Sequence, residues 1–227
     1  MRGISFLSGF LVGLMTLLVS PVALAHNADN FYGEWWHDSE KPVRWHFDND
    51  FPTAGDKRQR VKDAFSTWED APGQLGFDRG DDIQGFPGAC PGDGRSFVAF
   101  PSMGGDTLAQ TVVCHFAGEV NRTKSFYILI DASKDWYDGA STPPPDSKYD
   151  IQAVATDEVG HSTSWGFPLG DVQPHLGVNA NGQIRQPEYQ NLCVDTPIHT
   201  MCPFTHIGTA YQRSLEEHDL DTFAHRY

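Results

Sequence analysis

An α+β domain built on a mixed sheet is what this 227-residue chain predicts, from three observations. Hydrophobic residues make up 39% of it and charged residues 20%, which is apolar enough for a core and excludes a disordered or collagen-like chain. Two stretches carry helical periodicity, and several short apolar runs broken by Gly, Pro and Asp lie between them. No internal repeat interrupts this order, so one domain is expected. The 16 basic residues against 30 acidic ones give a net charge of −14, which argues against nucleic acid or an anionic membrane as partner.

Residues 1–25 form a separate unit. Arg2, an apolar run over 4–19 and then Ala23, Leu24 and Ala25 make the pattern that signal peptidase reads. The run falls short of the roughly 20 apolar residues of a spanning helix. The expectation is therefore a cleaved signal peptide, a mature N-terminus at His26, a secreted product and no membrane contact after cleavage. Residues 26–41 read as an N-terminal extension and 42–227 as the domain. In an oxidising compartment Cys90, Cys114, Cys193 and Cys202, none of them in a C-x-x-C pair, suit disulfides better than a thiolate metal site. Short-loop closure favours Cys90 with Cys114 and Cys193 with Cys202.

Alternation over 43–47, ended by Asp48, Asn49 and Asp50, predicts the first strand. Thr53 with Asp56 resembles a capping box, and Val61, Ala64, Phe65 and Trp68 recur at i, i+3, i+4 and i+7, which predicts a helix ending at Pro72 and Gly73. Strands are expected over 75–77, 96–100, 111–116 and 125–131, with 126–130 apolar enough to be central. Three prolines at 143–145 lead into a second helix over 147–165, with Asp146 as N-cap. On it Ile151, Val154, Ala155, Val159 and Ser162 form the packing stripe, while Asp157 and His161, four residues apart, share a face. A loose Gly, Pro, Asn and Gln-rich stretch follows to about 203. A capping box from Ser214 to Glu217 opens a closing helix that docks through Leu215, Leu220 and Phe223.

Residues 155–161, A-T-D-E-V-G-H, followed by S-T-S-W-G, resemble the zinc-protease helix H-E-x-x-H-x-x-G-x-x-H of the metzincins. Thr200, Met201, Cys202 and Pro203 resemble a Met-turn, and the order of elements over 42–227 is similar to that of a matrixin catalytic domain. The resemblance implies a secreted zinc metalloendopeptidase with one catalytic ion. It also implies Glu158 as general base, Met201 packed beneath the site, and a polypeptide substrate along an edge strand, for which 105–116 is the candidate. The chain departs from the motif at three places: Asp157 and Phe167 stand where the family has its first and third histidines, and Ser164 where it has glycine. On the same resemblance His161 is expected to remain a ligand and Asp157 to become one through oxygen. The third comes from the loop beyond, His175 or, as in the snapalysins, Asp171. The alternative is a catalytically inactive relative that binds a peptide or protein in the same cleft. Asp78, Asp81, Asp82 and Asp93 could hold calcium through oxygen, although no EF-hand spacing is present. His46, His115, His199, His206 and His218 read as packed or partly exposed imidazoles. The protein is read as a monomer.

Overall fold

The computed structural model describes residues 36–73, 75–84, 90, 93–117, 119–141, 143–163, 200, 208, 210–216 and 220. Nine elements organise them: β1 Val43–Phe47, α1 Lys57–Glu69, β2 Phe77–Arg79, β3 Ser96–Ala99, β4 Ala109–Phe116, β5 Glu119–Ile130, β6 Trp136–Tyr137, β7 Tyr149–Asp150 and α2 Ile151–Ser162. The first five strands make one sheet in the order β2-β1-β3-β5-β4, in which only β4 runs antiparallel to its neighbour. The architecture is mixed α/β, compatible with the α+β expectation.

β3, in the middle of the sheet, is buried on both faces, as its short apolar run requires, whereas β2 at the edge exposes Asp78 and Arg79. Val98 faces a core shared with Trp45, Phe65 and Phe126, and its neighbours Phe97 and Ala99 face a second cluster with Cys114 and Tyr127. In the main core Trp45 stacks on Phe65 at 3.9 Å between ring centroids, and Phe65 meets Phe77 edge-on at 5.0 Å. On the second face Cys90 is bonded to Cys114, the pairing expected from loop closure. Such a bond is compatible with an oxidising compartment. Among the described residues no helix is long and apolar enough to cross a membrane.

Helix α1 buries the four residues its periodicity singled out, Val61, Ala64, Phe65 and Trp68. Its start differs from expectation. The helix begins at Lys57, and Asp56 at the N-cap makes no side-chain cap bond. Instead the Asp56 backbone N–H donates to Asp138 Oδ2 at 3.1 Å, so a distant carboxylate satisfies the end that Thr53 was expected to cap. The second strand lies at Phe77–Arg79, later than 75–77, because parallel pairing places Phe77, Asp78 and Arg79 opposite Val43, Arg44 and Trp45.

Helix α2 also starts later than expected. Asp146 is exposed and Asp150 is the N-cap, its side chain accepting from the Ala153 N–H at 3.1 Å. Tyr149 and Asp150 are taken up in pairing with Trp136 and Tyr137, which holds the preceding chain extended. Asp150 is 0% exposed and receives Arg213 Nε at 2.8 Å, while the other Arg213 nitrogens donate to the carbonyls of Gly139 and Ala140. The helix ends at Ser162, with Thr163 as C-cap. At that end Trp36 Nε1 donates to the Ser162 carbonyl at 2.9 Å, and Glu40 nearby in sequence pairs with Arg122 of β5. Leu215 and Leu220 pack against the main core, as expected of the closing segment; Phe223 lies outside the described residues.

Candidate active site

A helix ordinarily turns one face to solvent, yet α2 has no exposed residue along its length. The expected stripe of Ile151, Val154, Ala155, Val159 and Ser162 is buried, and so are Thr156 and Glu158. The helix lies against α1, where Trp68 Nε1 donates to the Thr156 carbonyl at 2.7 Å, and against β4. Gln152, Asp157 and His161 are its least buried residues.

Asp157 and His161 do meet on one face, with Oδ2 and Nε2 3.8 Å apart and their side chains 14% and 15% exposed. Two donors each about 2.1 Å from a tetrahedral zinc stand roughly 3.4 Å apart, so this pair fits one ion with little adjustment. Burial pushes the His161 imidazole down to about 4 and so keeps it neutral, the form that offers a lone pair to a metal.

Glu158 is held against β4. It is 7% exposed, and its Oε2 lies 2.6 Å from Thr111 Oγ1 on β4. Burial pushes its carboxyl up to about 7, against the opposing pull of the Thr111 hydrogen bond. A carboxyl poised near neutrality can both take and release a proton. Among the described residues β4 lies at the edge of the sheet, where the substrate edge was expected, and Glu158 lies against it. Thr111 escaped the sequence reading. It is separated from Glu158 by 47 residues, and no local pattern signals the contact.

Of the remaining site residues, His175, Asp171, Met201, Cys193 and Cys202 lie outside the described residues. Thr200, which precedes Met201, is buried; its hydroxyl donates to the Ser214 carbonyl and its own carbonyl accepts from Gln212 Nε2 at 2.9 Å. Among the described residues no group of three or more His, Cys, Asp or Glu side chains is arranged to hold a metal. A third zinc donor would therefore come from outside them. Of the acidic residues considered for calcium, Asp82 pairs with Arg58 and Arg79, and Asp93 with Arg95. His46 is a packed imidazole, with Nδ1 2.6 Å from the Asp81 carbonyl oxygen. A Cβ on Gly80 would come within 2.4 Å of that ring, so a side chain there would have to displace the imidazole. His115 is half-buried, and burial lowers its pKa.

No protein-family model and no curated protein matches the chain.

Proposed function

We propose that this protein is a secreted, matrixin-like zinc metalloendopeptidase with an altered metal site. One observation carries the reading: a buried carboxyl lies at the sheet edge, on the same helix as a carboxylate and an imidazole whose donor atoms are 3.8 Å apart. The motif resemblance around Glu158 and His161 supports it, as does the signal-like segment 1–25.

His161, Asp157 and either His175 or Asp171 would hold the ion. When bound, zinc supplies a Lewis acid that acidifies water and polarises a peptide carbonyl. Glu158 takes a proton from the attacking water at its carboxylate and passes it to the leaving amine. β4 receives the extended backbone of the polypeptide along its outer edge. Because an aspartate side chain is shorter than histidine, Asp157 reaches less far, and affinity is lower than for three histidines.

A silent relative that binds a peptide in the same cleft is the second reading, favoured by Asp157 and Phe167 standing where the family has histidines. Casein cleavage with and without chelator, together with zinc content after dialysis, separates the two. The protease reading expects about one zinc per chain, loss of hydrolysis in Glu158→Ala with zinc retained, and gains in both zinc affinity and hydrolysis in Asp157→His. Equal background rates in wild type and both variants would end it.

A further inference from the structure

Thr111 touches Glu158 twice. Its Oγ1 lies 2.6 Å from Oε2 and 2.8 Å from the backbone carbonyl oxygen of the same residue. Such a double contact fixes both the root and the tip of the glutamate side chain relative to β4. A threonine hydroxyl has one proton to donate, so the two oxygens compete for it. Being β-branched and held in a strand, Thr111 has little rotamer freedom with which to turn away. Among the described residues it is the hydrogen-bond partner of the Glu158 carboxyl.

We propose that Thr111 is a positioning residue: by holding Oε2 it aims the other carboxylate oxygen at the attacking water, and it ties that aim to the edge strand on which substrate would lie. The inference rests on Glu158 acting as general base. A tie that merely staples α2 to β4 would serve stability alone. Orientation of a proton acceptor, by contrast, acts on the chemical step and leaves substrate and metal binding nearly untouched.

The test compares wild type with Thr111→Val, which keeps the shape and removes the hydroxyl, and Thr111→Ser, which keeps the hydroxyl. A fluorogenic peptide reads kcat and KM separately, and elemental analysis reads zinc. The metal-free proteins are examined by infrared spectroscopy, with the Glu158 carboxyl band assigned by difference against Glu158→Gln. The expected result is a fall in kcat of about tenfold in Thr111→Val, KM within about twofold and zinc unchanged, with recovery in Thr111→Ser. The Glu158 band should shift in the valine variant and return in the serine one. If wild type hydrolyses peptide and Thr111→Val keeps its kcat, or if the band does not move, the positioning role is overturned while the protease reading stands. Absence of hydrolysis in wild type overturns both, whatever the band does.

Discussion

Helices α1 and α2 lie side by side but handle their polar residues in opposite ways. α1 buries a single stripe and leaves Gln59, Ser66 and Glu69 exposed, while its charged residues meet partners at the surface, as in Arg58 with Asp82 and Arg60 with Asp63. α2 has no fully exposed residue, so the polar groups it buries need fixed partners. Thr156 donates back to the Gln152 carbonyl, Ser162 to Val159 and Thr163 to Gly160. Asp150 and Glu158, the two carboxyls it buries, are met by Arg213 and Thr111 from other parts of the chain. A polar side chain on α1 is explained by solvent. On α2 it is explained by a partner or by chemistry, and for this reason the candidate site belongs to α2.

The contrast can be broken most decisively at the N-terminus of α2. Arg213→Ala leaves the Asp150 carboxylate buried with the Ala153 N–H alone, and should lower stability by about 3–5 kcal/mol in urea unfolding. A loss below about 1 kcal/mol would place this pair with the surface pairs of α1 and remove the distinction.

A smaller effect is expected at the other end of α2. At its last carbonyls the Thr163 N–H is shared between Val159 and Gly160, which also accept from the Ser162 and Thr163 hydroxyls, whereas Trp36, 126 residues away, serves Ser162. Trp36→Phe keeps an aromatic ring among the packed residues but removes the donor, which should cost about 1–3 kcal/mol. Hydrogen exchange should quicken in the last turn of α2 and stay unchanged in α1. Equal quickening in both helices would show that the ring, and not its N–H, is what matters.

The smallest effect belongs to the surface of α1. Burial alone would raise the Asp82 carboxyl, but the hydrogen bond from Arg58 and the charges of Arg58 and Arg79 outweigh it and hold the group below its usual range. A carboxyl lowered on folding contributes stability above its unfolded pKa of about 3.9 and loses it as pH falls through the folded value. Asp82→Asn should therefore cost no more than about 1 kcal/mol at pH 7, and the difference from wild type should close in acid below about pH 4. Thermal melts across pH 3–7 check this. A cost that persists unchanged to pH 3 would mean that charge is not its cause.

Much of this protein was legible locally. The stripe of α1, strand β1, the Cys90–Cys114 bond and the shared face of Asp157 and His161 depend on spacings of a few residues or on short-loop closure, and the structure agrees with them. The start of α2 was not legible. Asp146 and Asp150 are equally good caps within their own windows, and only pairing with β6 and the approach of Arg213 select the second. Nor did periodicity reveal that Glu158 would be buried, since its neighbours in the stripe account for one face only. Sequence by itself determined which residues share a helix face, because helical geometry is set by the backbone. Tertiary structure alone decided which charges lose their water and which distant group, Arg213, Trp36 or Thr111, replaces it, because those contacts join residues 47 to 126 positions apart.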